Sequence, residues 1–396
     1  MQKKLMALAV ASMAASVALA QTNVTLYGVA DAGYVHSSGD AAARIPGVNT
    51  GSNEFSGIQS GLLTGSQLGV RGEEALGNGL KAIFTLEYQL SIDSNSGVGF
   101  STGSTSARQQ FVGLSSATLG TLALGRQYAP GYQATKNNAP LFGASFESQS
   151  YLSAQAGNTI TPTSNGRWDN AVTYLSPNWG GFTGKAIYSF GETAATVGGV
   201  SSYNDKLTDI TANQKWGVGF NDANGLLKVD LVYQSRMNTV GSATKPYPAG
   251  TNKDINEGDI GASYDFKVVK IMGSYQRQSD KNATNRDNGI WSLGAVIPVL
   301  PASNIHLAYA QLDWDQGNCY VGISHACGLT GSTKSATLAW TTALSKRTTL
   351  YAGYVWNDND KNTALTATGG SAGPVAGIGA VNQTNQTILG GIRHTF

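Results

Sequence analysis

The chain closes on Asn385-Gln386-Thr387-Ile388-Leu389-Gly390-Gly391-Ile392-Arg393-His394-Thr395-Phe396. Ile388, Gly390 and Ile392 occupy alternate positions of this stretch, and its last residue is aromatic. A period of two indicates a β-strand whose two faces meet different surroundings. The stretch therefore predicts a terminal strand, and the same alternation recurs through most of the chain.

The opposite end of the sequence has the pattern of a cleavable export signal. Lys3 and Lys4 precede an apolar, alanine-rich stretch over residues 5–20 that is short for a membrane helix. Ala18-Leu19-Ala20 provides the small-x-small cleavage pattern. We expect residues 1–20 to be a signal peptide and residues 21–396 to form one β-barrel domain. An uncleaved N-terminal anchor is the alternative.

The charge balance argues against a nucleic-acid partner, which would need a basic excess. The chain has 26 basic and 24 acidic residues, and two of the bases, Lys3 and Lys4, lie in the export segment. The remaining chain is thus neutral overall. Charged residues make up 13% of the sequence, about half the usual share of a soluble domain.

Alternating segments are joined by a regular rhythm of short and long connections. Residues 24–34 illustrate the alternation, because one face carries small or apolar side chains: Leu26, Gly28, Ala30, Ala32 and Tyr34. The short turns are expected at 75–79, 117–120, 177–181, 223–225, 267, 300–302 and near 345. The long polar connections are expected at 37–63, 93–106, 128–167, 192–208, 239–254, 279–288, 316–332 and 359–384.

Seven short and eight long connections divide the exported chain into about sixteen strands. In lipid a sheet must close on itself to satisfy its backbone hydrogen bonds. The pattern therefore predicts an all-β fold, a 16-stranded antiparallel transmembrane β-barrel with a water-filled lumen, in the outer membrane of a Gram-negative bacterium. A soluble sandwich or propeller shares the alternation. It would not explain the short/long rhythm or the aromatic residues near strand ends, such as Trp179, Phe182, Tyr264, Phe266, Trp356 and Phe396.

Several blocks together resemble the Gram-negative general diffusion porins, especially the beta-proteobacterial type. They are Val24–Asp31, Gln67–Ala82, Arg108–Leu114, Gly120–Gln127 and the terminal Phe396. The resemblance covers the whole exported chain. It implies a homotrimer of sixteen-stranded barrels, each with its own pore narrowed by an inward-folded third outer loop.

The third long connection, 128–167, would be the constriction loop on this resemblance. A loop of this length is usually functional. Its Pro140-Leu141-Phe142-Gly143-Ala144 looks like the family's tip motif, which usually has an acid where Leu141 stands. The single acid inside the loop is Glu147, which we expect to face Lys136 at the constriction.

The resemblance also implies a row of basic side chains on the wall opposite this loop. Arg71, Arg108 and Arg167 match those positions by their surrounding motifs. The alternative is that these arginines pair with Glu73, Glu87 or Glu147 and hold the loop in place. Arg71 shares its face with Gln67 and Glu73, and Arg108 is expected to oppose a lipid-facing Phe111. The face of Arg167 stays open. Lys81 and Glu87 are expected to line the lumen. Arg126 shares a face with Leu122 and Leu124 and is expected outside.

The remaining candidates suggest structural roles. Cys319 and Cys327 are the only cysteines, and an isolated close pair in an exported chain predicts a disulfide that staples one outer loop. A redox dithiol would normally have a shorter spacing. The four histidines have no metal-ligand spacing, and no hydrolase or P-loop motif occurs, so neither a metal nor a cofactor is indicated.

The function expected from this reading is a passive channel, and not an enzyme. It would admit small hydrophilic solutes and ions, with a preference for anions because bases outnumber acids at the constriction. Its other partners would be outer-membrane lipid and lipopolysaccharide. A barrel adhesin or phage receptor is the first alternative, and an outer-membrane barrel enzyme is the second.

Overall fold

The structure is a computed structural model that describes residues 23–39, 54–94, 107–162, 164, 166–191, 194–197, 200–203, 213–239, 253–282, 286–315, 330–360 and 384–396. The predicted signal peptide and Cys319 and Cys327 lie outside the described residues. Among the described residues, no helix is both long and apolar enough to cross a membrane.

Nineteen strands and two helices make up the described part of the chain. The strands are β1 Asn23–Gly39, β2 Glu54–Ser60, β3 Gln67–Gly77, β4 Leu80–Gln89, β5 Ala107–Ser116, β6 Gly120–Tyr128, β7 Arg167–Leu175, β8 Phe182–Ser189, β9 Ala194–Val197, β10 Val200–Tyr203, β11 Lys215–Asp222, β12 Leu227–Thr239, β13 Lys253–Asp265, β14 Lys270–Asp280, β15 Asn288–Leu300, β16 Ser303–Trp314, β17 Gly331–Ala343, β18 Thr348–Asn359 and β19 Thr384–Thr395. The helices are α1 Pro130–Asn137 and α2 Ser148–Gln155.

The sheet closes because β1 has partners on both edges. It pairs antiparallel with β19, where Val29 faces Thr395, and on its other edge with β3, where Val29 faces Gln67. Further along the same edge β1 pairs with β2, so β2 and β3 share one position in the wall. Seventeen strands of the sheet therefore fill sixteen positions, and the predicted 16-stranded antiparallel barrel is confirmed. Strands β9 and β10 form a separate hairpin.

Short and long connections alternate along the barrel as predicted. The turn between β3 and β4 shows why the short ones are so tight. Gly77, Asn78 and Gly79 all have positive φ, at 92°, 51° and 75°, which glycine and asparagine adopt at the lowest cost. The prediction was wrong in detail for residues 37–63, because β1 continues to Gly39 and Glu54–Ser60 forms β2.

The two faces of the sheet have opposite character. On β12, Leu231 and Tyr233 are 46% and 43% exposed, whereas Asp230 and Gln234 on the other face are buried. An apolar exposed face is what lipid requires of a transmembrane barrel, and its polar face lines the interior. We refer to these as the apolar face and the polar face.

The C-terminus completes the closure through its backbone and its ring. The backbone N–H groups of Gly28 and Phe396 each donate to the other's carbonyl oxygen at 3.1 Å. A Cβ at Gly28 would lie 2.3 Å from the Phe396 ring. Glycine at position 28 therefore makes room for the terminal aromatic side chain.

The connection between β6 and β7 contacts several strands of the sheet through its two helices. Helix α1, which begins at Pro130 as its preset φ favours, contacts β8 and β11–β13, and α2 contacts β15–β17. Apolar side chains of this connection, including Leu141, Phe146 and Leu152, form one buried cluster with wall residues such as Ile290 and Leu312. This cluster joins the connection to the wall residues that it contacts.

Candidate functional site

The strand register brings the predicted basic residues of β3 and β5 to one region of the polar face. Arg71 is paired with Thr25 on β1 and Thr85 on β4, and Thr85 is in turn paired with Phe111. Phe111 therefore shares the face of Arg71, opposite to the exposed Val112, and its predicted lipid-facing position was wrong. Arg108 still reaches the polar face because the register shifts between Leu86 and Tyr88 of β4. This irregularity changes the alternation at that point.

Glu87 is the centre of a buried network on this wall. Its side chain is 4% exposed and accepts a hydrogen bond from Arg108 Nε at 2.7 Å. Glu87 also accepts a hydrogen bond from Tyr27 Oη at 3.0 Å and another from Gln67 Nε2 at 3.2 Å. Tyr128 Oη also donates to Glu87, at 3.3 Å. The Arg108 charge is thus matched by a buried carboxylate at close range.

Arg71 differs from Arg108 because it has no acidic partner in the part of the chain that the structure describes. Its side chain is exposed, and its guanidinium carbon lies 5.1 Å from the centroid of the Tyr27 ring. Within the described residues it makes no ion pair. Its charge therefore acts on the solution beside the wall.

Arg167 lies where β7 begins and stands over two tyrosines. Its guanidinium carbon is 5.1 Å from the Tyr128 ring and 5.4 Å from the Tyr132 ring, and those rings stack 3.8 Å apart. None of the ion pairs found among the described residues involves Arg167. Lys185 of β8 adds a further base here, since its Nζ donates to the Tyr128 carbonyl oxygen at 2.6 Å.

A second base not foreseen from the sequence lies on β19. Arg393 is paired in register with Asp31, and its guanidinium donates to Thr64 Oγ1 at 3.4 Å and Thr349 Oγ1 at 3.2 Å. Asp31 accepts from Tyr351 Oη at 2.6 Å. The sequence alternation could have assigned Arg393 and Tyr27 to the polar face, because apolar residues of the opposite face lie next to each of them in the chain. Lys185 and the stacked tyrosines depend on contacts between distant elements.

Hydrogen bonds to strands β12, β13, β17 and β18 hold the connection between β6 and β7 in place. Gly131 N–H donates to Gln234 on β12 at 2.7 Å, and Thr159 N–H donates to Glu257 on β13 at 2.6 Å. Glu257 also pairs with Arg236 at 3.0 Å. In α2, the Ser148 hydroxyl lies 2.8 Å from that of Thr337, and further along Tyr151 donates to Asn357 at 2.7 Å.

The predicted tip, Pro140 to Gly143, lies on β15 and β16. A Cβ at Gly294 would lie 2.1 Å from the Pro140 ring, and His306 Nδ1–H donates to the Pro140 carbonyl oxygen at 2.9 Å. Leu141 is buried in the apolar cluster. Phe142 is 59% exposed with φ of 56°, and Gly143 follows with φ of 78°.

The structure differs from the prediction for Glu147 and Lys136. Glu147 is 1% exposed and accepts the Gly143 N–H at 3.0 Å, and burial raises its pKa to about 8. It is therefore part of the fold of the tip and presents no charge at a surface. In the described part of the chain, neither residue is found in an ion pair. Lys136 is half-buried on α1.

The other predicted residues have less central positions. Lys81 pairs with Glu73 at 2.9 Å near the short turn after β3, with both side chains about half exposed. Arg126 is paired in register with Gln110 and forms an ion pair with Asp169 at 2.5 Å. In the regions that the structure describes, no cluster of three or more His, Cys, Asp or Glu side chains could hold a metal ion.

Comparison with known proteins gives consistent matches. The sequence model of a family described as Gram-negative porin matches residues 7–362. The chain is 30% identical to outer membrane porin protein 32 of Delftia acidovorans over the full length of both chains. It is also 30% identical to an outer membrane porin protein of Bordetella pertussis, covering 92% of this chain and 98% of that one. A solved structure described as an anion-selective porin from Comamonas acidovorans superimposes with a TM-score of 0.72 at 26% identity, covering 95% of this chain and all of the other.

Proposed function

The chain belongs to the Gram-negative porin family, and from that premise we propose that it is an outer-membrane channel that prefers anions. The family assignment and the closed barrel make it a passive diffusion channel in the outer membrane. The observation that carries the anion preference is a pair of arginines on one wall of the polar face, Arg71 and Arg167, which form no ion pair among the described residues.

The electrostatics of this wall support the proposal. Glu87 is matched by Arg108, and Glu73 is matched by Lys81, so Arg71 and Arg167 are left as a surplus of positive charge. A basic surplus along a narrow aqueous path lowers the energy of a passing anion and raises that of a cation. The structural relative described as anion-selective has the same fold.

The proposal includes an inward position for the connection between β6 and β7, which then narrows the pore. Its hydrogen bonds to Gln234, Glu257 and Thr337 all reach the polar face of the sheet, and this supports the position. The buried side chains of Leu141, Phe146 and Leu152 would each stabilise it by roughly 1.5–3 kcal/mol. The water path would then run between this connection and the wall that carries Arg71, Arg108 and Arg167.

The proposed assembly is a homotrimer with lipid and lipopolysaccharide around it. The exposed apolar face, with side chains such as Leu122, Leu124 and Leu231, provides surface for lipid and for neighbouring subunits. Residues 1–20 would be removed on export. The predicted Cys319–Cys327 disulfide and any loop-mediated binding of a host or phage stay predictions.

Proteoliposome swelling tests the passive-channel part of the proposal. We expect neutral sugars to enter at rates that fall steadily with solute size and rise linearly with concentration. Small organic anions should enter faster than cations of equal size. Saturation of the rate at low millimolar sugar would indicate a specific carrier site and contradict diffusion through an open pore.

A further inference from the structure

Phe142 is an unusual residue within the connection between β6 and β7. Among residues 129–162, all of which the structure describes, it is the one large hydrophobic side chain that is exposed. Its φ of 56° lies in the left-handed region, where a bulky side chain is a genuine outlier. Strain of this kind persists only where the surroundings enforce it, and it is concentrated at functional positions.

The neighbours of Phe142 fix this conformation. Leu141 is buried in the apolar cluster, and Pro140 is held by His306 and Gly294. On the other side, Gly143 N–H is bound by the buried Glu147. The Phe142 side chain is thus exposed on a tip whose neighbouring residues are held in place.

The strand order places the tip on the barrel relative to the basic wall. Counted from β1, with β2 and β3 as one position, β5 is the fourth strand of the wall and β15 is the twelfth. Strands four and twelve of sixteen lie half a circuit apart. The tip rests on β15 and β16, so it lies across the barrel from β5, which carries Arg108.

We infer that Phe142 and the basic wall together form a binding site for organic anions that carry an aromatic or apolar group. This inference rests on the proposed anion channel. The carboxylate of such a solute would face Arg71 and Arg167, and its apolar part would pack on the Phe142 ring. An acid at the tip would repel such a solute, but Leu141 occupies that position here and is buried.

Benzoate and acetate are suitable probes because they share a carboxylate and differ in the ring. We expect the benzoate-to-acetate permeability ratio, from bi-ionic reversal potentials, to fall about two- to tenfold in Phe142→Asn. A tenfold change corresponds to about 1.4 kcal/mol. Asparagine tolerates positive φ, so this variant removes the ring without adding strain. Phe142→Tyr, which keeps the ring, should stay within about twofold of the native ratio.

Two controls keep the outcome interpretable. The chloride-to-potassium ratio should be unchanged in both variants, because neither changes a charge. An unchanged benzoate-to-acetate ratio in Phe142→Asn would overturn the inference, as would an equal loss of both permeabilities. A native channel that prefers potassium would instead contradict the proposed function. If Phe142→Asn does not fold, Phe142→Gly is the substitute, and in the native channel benzoate should reduce chloride current where acetate does not.

Discussion

Arg71→Gln should lower anion preference without weakening the barrel. The Arg71 side chain is exposed, and among the described residues its one cation–π or ion-pair contact is with the Tyr27 ring. Its loss should therefore cost at most about 0.5–1 kcal/mol of stability. An ion that passes about 7 Å from a unit charge in a water-like medium feels about 0.6 kcal/mol. Removing the charge changes the energies of a passing anion and a passing cation in opposite directions. The difference between these two energies therefore changes by about 1.2 kcal/mol. That corresponds to about a sevenfold fall in the anion-to-cation permeability ratio.

The matched control is the double variant Glu87→Gln/Arg108→Gln. It removes one buried charge of each sign from the same wall, so the net charge is unchanged and the ratio should stay within about twofold of native. Arg108→Gln alone leaves the Glu87 carboxylate buried and unmatched, which should destabilise the barrel by about 3–5 kcal/mol. These variants distinguish the effect of the net charge on the wall from the effect of the number of arginines.

Reversal potentials across a potassium chloride gradient measure these ratios in planar bilayers. The effect of Arg71→Gln should be large near 0.1 M salt and shrink at 1 M, where screening acts over about 3 Å. An Arg71→Gln ratio equal to native at low salt would refute the reasoning. So would a double variant with the same loss as Arg71→Gln.

Three further predictions concern the fold around the pore. Burial raises the pKa of Glu147 to about 8, above that of an exposed glutamate. The stability that the protonated carboxyl gives to the folded tip is therefore complete below about pH 4 and is lost as the pH rises through 8. Current noise should therefore grow between pH 7 and 9 in the native channel and stay flat in Glu147→Gln, and a native channel with flat noise would contradict the burial of this carboxyl. Gly28→Val should lower the unfolding temperature on heated gels because a Cβ there meets the Phe396 ring, whereas the same change at Ala30 should be mild; equal effects at both positions would count against that contact. Reduction should expose Cys319 and Cys327 to alkylation while the folded gel band persists, and loss of that band would show that the bond supports the barrel itself.

The strands and their closure could be predicted from the sequence because their signals are local. A period of two, turn residues such as Asn78 and the alternation of short and long connections depend on near neighbours in the chain. The same local reasoning placed Arg71 and Gln67 on one face, and the strand register gives them the same parity. It was wrong for Phe111, because the register shift beside Leu86 changes the parity of β5.

The candidate site was less predictable because it is built from contacts between distant elements. Glu147 is the one acid of its connection, which suggested a pore charge, but packing buries it under the tip. The match between Glu87 and Arg108 depends on the irregular register of β4 and β5. The stacking of Tyr128 on Tyr132 beneath Arg167 requires β6, α1 and β7 to converge, which no single segment specifies.

The zero-current potential of the purified native protein in a planar bilayer tests the central claim most directly. Across a tenfold potassium chloride gradient, we expect stepwise channels and a potential whose sign shows that chloride is more permeant than potassium. The opposite sign would keep the channel and contradict the basic wall as its selectivity element. Correctly folded protein that gives no conductance would contradict the channel itself.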